Sequence, residues 1–490
     1  MNNEPEIHTM TDPTPAPVLH YSDGGADLWH GDCIETMRLL EPESVDAVIT
    51  DPPYALEFMN RSWDTFKTED RVKLRGFEVW CEQWAAEALR VLKPGGFLLA
   101  FGSARTAHRL TSGIENAGFE IRDGIAWLYS SGFPKNLDVS KALDKQRHNR
   151  AELLQFTEWA RAARDAAGIT NPAIDRAFGF AGMAGHWTTD GQQPAVPTLE
   201  QVPQLLELFG LTLAEVPDEI RSLIVELNGQ KGQPGAAWLD REVTGQHTKI
   251  AHAAGWRAKF SEKGETAAPA AERRDLAATE LSRKWQGWGT ALKPSFEPIV
   301  LARKPLVGTV ATNITVHGVG AINVEANRTP SADPLTPEDA RWPANALLTH
   351  APTIDTDTGE AIGDACGNGC VDGCPVLLLE EQRRDAARFF PAFRYEAKAP
   401  TSERPTVIDE QGNTLQHPTV KPLDLMRHLV RLFVPAGGTV LEPFAGSGTT
   451  LEACLIEGVS VIGIELDGAH LPLIEKRLKK EHQQTLFGDL

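Results

Sequence analysis

The sequence predicts an α/β protein whose mostly parallel sheet is assembled from both ends of the chain around a large central insertion. Three observations predict it. Short apolar runs alternate with amphipathic stretches over residues 26–135, and the same alternation returns over residues 413–490. The residues between have a different character, first helical and Ala-rich, then loose and polar. A chain of 490 residues has room for two or three domains, one of them with a substantial core.

In chain order, residues 1–25 carry acidic residues and prolines without the apolar segment of a secretory signal, and read as a disordered tail on a cytoplasmic protein. Residues 28–30 read as a strand, 34–40 as a helix, and 46–50 as a strand. Residues 78–92 form an amphipathic helix ended by Lys93-Pro94-Gly95-Gly96, and 97–101 another strand. The insertion, 136–290, is helix-rich to about Gly229 and then loose. Residues 291–305 hold a returning strand at 298–302. Residues 306–412, heavy in Pro, Gly, Asn and Asp, are expected to be irregular; so long a stretch inside a compact domain implies binding, here target recognition. From 413 the order is a helix at 423–433, a turn at 435–438, a strand at 439–441, a Gly-rich loop, a helix to Gly458, a strand at 459–464 and a final helix.

Composition narrows the function. Lys and Arg number 48 against 67 Asp and Glu, a net charge of −19, which excludes a protein that coats nucleic acid by charge alone. Any nucleic-acid surface must be local. No apolar run is long enough to span a bilayer. Six cysteines make no disulfide framework.

Asp51-Pro52-Pro53-Tyr54 directly follows the apolar run 45–50, so it falls at the carboxyl end of a parallel strand, where open α/β sheets bind ligands. Two prolines remove two amide donors and leave carbonyls that only accept. With the Asp51 carboxylate and the Tyr54 ring they make a slot for a planar group bearing an NH2, such as a nucleobase amine. Hydrogen bonds to the Asp51 side chain and the Pro52 carbonyl favour a more tetrahedral, reactive nitrogen, and stacking on Tyr54 adds roughly 1–3 kcal/mol. The plainer reading, a turn in which Tyr54 merely packs, is also open.

Phe444-Ala445-Gly446-Ser447-Gly448-Thr449-Thr450 follows a strand and opens a helix, so its glycines let the backbone approach a ligand. It lacks the Lys of a phosphate-binding Walker loop and the full G-x-G-x-x-G fingerprint. The next strand ends in Glu465, where such folds hold ribose hydroxyls. A nucleoside cofactor without a demand for phosphate fits best.

These two motifs resemble those of the amino-group DNA methyltransferases, which methylate adenine N6 or cytosine N4 with S-adenosylmethionine. The order, catalytic motif first, resembles the circularly permuted beta group, in phage and bacteria. Gly31-Asp32 and His417-Pro418-Thr419-Val420-Lys421-Pro422 complete the likeness. It implies a class I methyltransferase fold, S-adenosylmethionine as cofactor and double-stranded DNA as partner, with the base flipped out of the helix. Asp51, Pro52 and Tyr54, in a motif rigidified by Pro53, would hold that base. Phe444, Gly446 and Gly448 would line the methionine and ribose part of the cofactor, Thr449 its carboxylate, Glu465 its ribose and Asp32 its adenine, with Thr419 and Lys421 shaping the pocket. A partner endonuclease is left open; if one exists, it would be a separate chain.

Methylation of cytosine C5 is excluded more firmly. It needs a Pro-Cys thiolate, and none of Cys33, Cys81, Cys366, Cys370, Cys374 or Cys454 follows a proline. Asp at the first motif position leans toward adenine within the family, and N4-cytosine is the alternative. A DNA-binding regulator with a degenerate site is a different class, which the intact motifs disfavour.

Three features of the middle region each keep two readings. Helices at 156–164 and 171–178 with a third near 181–187 are spaced like a helix-turn-helix, and the flank with Lys141, Lys145, Arg147 and Arg150 suits a phosphate backbone; a helical spacer is the alternative. Trp63 and Trp288 are expected near the cleft, to line a flipped base or to pack against the sheet. Cys366, Cys370 and Cys374, with His350, suggest either a zinc site or three reduced thiols, and the metal is left open.

Overall fold

The computed structural model of the chain describes residues 16–56, 73–129, 137–146, 149–180, 182–191, 193–230, 235–248, 271–328, 341–350, 353–354, 361–362, 374–382, 390–393, 405–408, 414–415, 417 and 419–480. Contacts divide the chain into two compact units. One joins Met1–Phe133 to Pro294–Leu490, and the other is Pro134–Lys293.

The first unit is built on a sheet with ten strands among the described residues: β1 (Val18–Asp23), β2 (Ala26–His30), β3 (Val45–Thr50), β4 (Leu92–Phe101), β5 (Glu120–Leu128), β6 (Phe296–Arg303), β7 (Ala346–Thr349), β8 (Ala392–Phe393), β9 (Thr439–Glu442) and β10 (Ser460–Glu465). Their spatial order is β1-β2-β10-β9-β3-β4-β6-β5-β7-β8. From β2 through β4 every neighbour is parallel. Every residue of β3 is buried, which is why it reads as a continuous run rather than an alternation.

Side chains still alternate between the faces. Ala47, Ile49, Leu99 and Phe101 join a core beneath the helix Leu423–Phe433. Val45, Val48, Leu98 and Ala100 join another with Trp84 and Ala88 of the helix Lys73–Val91. Two features of this sheet position the site. Val440 pairs with Ala47 and Leu441 with Val48, so β3 and β9 end level although they come from opposite ends of the chain. β6 runs antiparallel to β4 and β5, with Phe101 opposite Ile299 and Trp127 opposite Glu297. The start of β6 therefore lies at the edge where the parallel strands end.

Several expectations are corrected here. Residues 18–23 are not tail; they form β1, antiparallel to β2. Pro94-Gly95-Gly96 does not precede its strand but bulges within β4, as the pairing jumps from Val45 with Leu92 to Ala47 with Phe97. Gly95 sits there at φ +80°. The stretch 306–412 is not wholly irregular. β7 pairs parallel with β5, and β8 with β7, extending the sheet. These strands have four and two residues, too few to show a period in sequence.

The second unit packs the helices Arg150–Ala166, Val202–Leu208 and Asp218–Gly229 around Phe156, Leu206, Ile220 and Ile224. After Gly229 it is not merely loose as expected, because Val243–Thr248 and Ala271–Asp275 pair as antiparallel strands. The helix Asn171–Phe178 appears as expected, capped by Gly179 at φ +70°. Met183–Trp187 has only five residues, about 7.5 Å, short of the ~12 Å width of a major groove. Its Trp187 is buried against Ile174. The basic flank is engaged within the unit: Lys145 lies 4.2 Å above the Trp238 ring and Arg150 donates to the Gly191 carbonyl. Arg147 lies outside the described residues. Among the described residues, no helix is long and apolar enough to cross a membrane.

Candidate active site

Four strands of the first unit end side by side, and each delivers a carboxylate to the same edge. Register fixes the row: Glu465 at the end of β10 pairs with His30 at the end of β2, followed by Gly31-Asp32, while β9 ends at Glu442 beside Thr50, followed by Asp51. Thr50 donates from Oγ1 to Glu442 Oε1 at 2.5 Å, tying the two strand ends directly. The Asp51 turn and the Gly446 loop thus follow neighbouring strand ends at one edge of the sheet.

At the Asp51 end the charges are held by side chains. Tyr54 donates its hydroxyl to Asp51 Oδ1 at 2.6 Å, and the Lys421 ammonium donates to Asp51 Oδ2 at 2.6 Å. Lys421 also lies 3.1 Å from the Tyr54 hydroxyl and 3.3 Å from Glu297 Oε2. Burial works to lower the Lys421 pKa, but the Asp51 and Glu297 carboxylates outweigh it and hold the pKa above the ordinary lysine value. Burial, then the same two charges, push the Tyr54 phenol well up, so it remains a donor. Thr106 donates from Oγ1 to the Tyr54 carbonyl at 2.8 Å. The next residue, Ala55, is left-handed at φ +56°, a conformation that costs a non-glycine residue roughly 1–2 kcal/mol. The turn is held in a strained shape that its surroundings maintain.

At the Gly446 end the carboxylates are held by backbone amides and hydroxyls. Glu465 accepts from Gly446 N at 2.7 Å and Asp467 N at 2.8 Å. Glu442 accepts from Thr50, from Thr450 Oγ1 at 2.7 Å and from Phe444 N at 3.1 Å, yet burial pushes its pKa up to about 8. Gly446 at φ +53° and Gly448 at φ +78° need glycine. A Cβ on Gly446 would meet the His417 ring at 3.3 Å, and one on Gly448 would meet Ile474 at 3.0 Å. His417 packs edge-on to His470, ring centroids 4.6 Å apart; burial, then His470, lowers its pKa to about 4, so the ring is neutral.

The remaining expected residues are placed as follows. Pro52 is buried and Pro53 half-buried. Asp32 caps the helix Cys33–Met37, accepting from Ile34 N at 2.9 Å and Glu35 N at 3.1 Å. Thr419 is exposed, with its carbonyl 2.5 Å from His417 Nδ1. Phe444 packs edge-on to Trp84 and tilted against Trp80. Thr449 is buried, with Oγ1 3.0 Å from Ser447 Oγ. Lys421, expected to shape the cofactor pocket, places its ammonium on Asp51. Glu297 was missed. The one cue in sequence is a charge opening an otherwise apolar strand. Trp63, Cys366 and Cys370 lie outside the described residues. Cys374 is buried with Leu348 and Val376. Trp288 belongs to the second unit, where it packs on Trp285 at 5.0 Å.

Comparison with known proteins accords with this arrangement. The chain matches the family model of the N6/N4 DNA methylases over residues 45–158 and 242–476, well over half its length. It is 28% identical over 118 residues to the type II methyltransferase M.HinfI of Haemophilus influenzae, covering 21% of this chain and 32% of that protein. It is 24% identical over 131 residues to the type II methyltransferase M.HindIII of Haemophilus influenzae, covering 20% and 42%. To the type II methyltransferase M.BamHI of Bacillus amyloliquefaciens it is 37% identical over 81 residues, covering 16% and 18%. The matched segments thus span less than half the length of each relative.

Proposed function

The chain belongs to the N6/N4 DNA methylase family, and from that premise we propose that it methylates an exocyclic amine in double-stranded DNA, adenine N6 ahead of cytosine N4. The observation that carries this reading is the adjacency of the two motifs, with the Asp51 carboxylate and the glycine-opened loop at Gly446 on neighbouring strand ends. The lean toward adenine rests on Asp51 as the first motif residue.

S-adenosylmethionine fits the donor set at the loop. Each Glu465 oxygen accepts one backbone N–H, and a carboxylate offers about four acceptor sites, so capacity remains for two ribose hydroxyls. Gly446 and Gly448 leave the loop without side chains, and Thr449 adds a hydroxyl beside it. When bound, this cofactor supplies an electrophilic methyl on a positively charged sulfur.

The residues of the chain then have these tasks. Asp51 and the Pro52 carbonyl accept the two N–H bonds of the target amine, aligning its lone pair with the methyl. Tyr54, fixed through its hydroxyl, offers a ring face to the base. Lys421 orients the Asp51 carboxylate through a charge-assisted hydrogen bond. Rate comes from positioning and electrostatics, on a base turned out of the helix. Incubating the chain with methyl-labelled cofactor and unmodified duplex DNA, then digesting to nucleosides, tests the proposal. N6-methyladenine is the expected product. N4-methylcytosine transfers the reading to the alternative, and an absence of labelled nucleoside overturns both.

A further inference from the structure

Asp51 is already engaged before any amine arrives, by Tyr54 at one oxygen and by Lys421 at the other. Both of those partners have a second acceptor, and it is the same atom. Glu297 Oε2 lies 3.3 Å from the Lys421 ammonium and 3.3 Å from the Tyr54 hydroxyl. Its other oxygen accepts from the Tyr129 hydroxyl at 3.4 Å, which orients the carboxylate toward the cluster. The group is not a local turn motif. Asp51 follows β3, Lys421 precedes the helix Leu423–Phe433, and Glu297 arrives on the reversed strand β6.

We infer that Glu297 is a positioning residue for the transfer, taking over the Lys421 ammonium and the Tyr54 hydroxyl as the target amine takes Asp51. The inference rests on the function proposed above. Lys421 is only 12% exposed, and a buried ammonium cannot be left without a carboxylate except at high cost. A nucleobase amine is neutral and donates more weakly than an ammonium, so against a full ion pair it competes poorly for Asp51. With Glu297 present, Lys421 gains a full charge-assisted bond by closing 3.3 Å to about 2.8 Å, a shift of well under 1 Å. The acceptor site is thereby released without stranding a charge.

The test uses the full chain, its Glu297→Gln and Glu297→Asp variants, labelled S-adenosylmethionine and duplex DNA. At saturating cofactor and DNA, the single-turnover rate is expected to fall in the order wild type, Asp, Gln, with the Gln variant slower by roughly ten- to a hundredfold. Cofactor affinity and the thermal midpoint are expected to be unchanged, a split that a merely structural role would not give. Should the Gln variant fail to fold, the Asp variant decides: a slower rate at unchanged cofactor affinity supports the inference, and a wild-type rate overturns it. Wild-type transfer matched by the Gln variant overturns the inference alone. A wild-type chain that methylates no DNA base overturns the proposed function and the inference with it.

Discussion

The two ends of the site hold their carboxylates in different ways. At Asp51 an ammonium and a phenol do the holding, and a second carboxylate, Glu297, shares them. At the Gly446 loop, Glu465 and Glu442 are held by backbone N–H groups and threonine hydroxyls; the ion pair recorded for Glu465 is with His470 at 3.5 Å. The difference follows from the ligand each end suits. A cationic cofactor suits an end that carries no lysine or arginine, whereas a neutral amine suits an acceptor whose orientation is fixed by other donors. On the proposed function, one end would bind and the other activate.

The largest expected effect separates these tasks. Asp51→Ala is expected to lower the methyl-transfer rate by at least about 10³-fold, with cofactor affinity nearly unchanged in a binding titration. Glu465→Ala is expected to act the other way, weakening cofactor binding by roughly ten- to a hundredfold, since hydrogen bonds to a charged group contribute about 1.5–3 kcal/mol. Its rate should recover at saturating cofactor. Equal losses of the same kinetic constant in both variants would erase the comparison.

A second expectation concerns pH. Glu442 ionises near 8 in the folded chain against an ordinary value of 4.5, so between these the folded state binds the extra proton, and stability falls as pH rises. His417 works in the opposite sense: its pKa near 4 lies below the usual 6.5, so stability is lost as pH falls through that window. Denaturant titrations of Glu442→Gln from pH 4.5 to 8 are expected to lose the alkaline decline and keep the acid one. The smallest effect sharpens the loop geometry. Gly446→Ala combines φ +53° with a Cβ 3.3 Å from His417, and about 1–2 kcal/mol of strain corresponds to a roughly five- to thirtyfold weaker cofactor affinity if it falls on the bound state.

What sequence disclosed and what it hid divide along a physical line. The helix Leu423–Phe433 was legible from its local apolar period, and strands β3 and β9 from short apolar runs beside turn residues. Asp51 and Gly446 were legible because a backbone turn needs particular residues in succession. Glu297 was not, since its place depends on the antiparallel register of β6 against β5. The contact of Lys421 with Asp51 was hidden too, because the sequence shows only that Lys421 precedes the helix, not which strand end its ammonium reaches. β5 escaped because its exposed first half masks the alternation, and β8 because two residues carry none.

The central claim is that donor and acceptor meet between the ends of β3 and β9. Ultraviolet crosslinking of the chain to methyl-labelled S-adenosylmethionine, with the labelled peptide mapped by mass spectrometry, tests this most directly. The account predicts label on peptides containing Asp51-Pro52-Pro53-Tyr54 or Phe444 to Thr449, competed away by unlabelled cofactor. Label confined to residues 137–293 would contradict it.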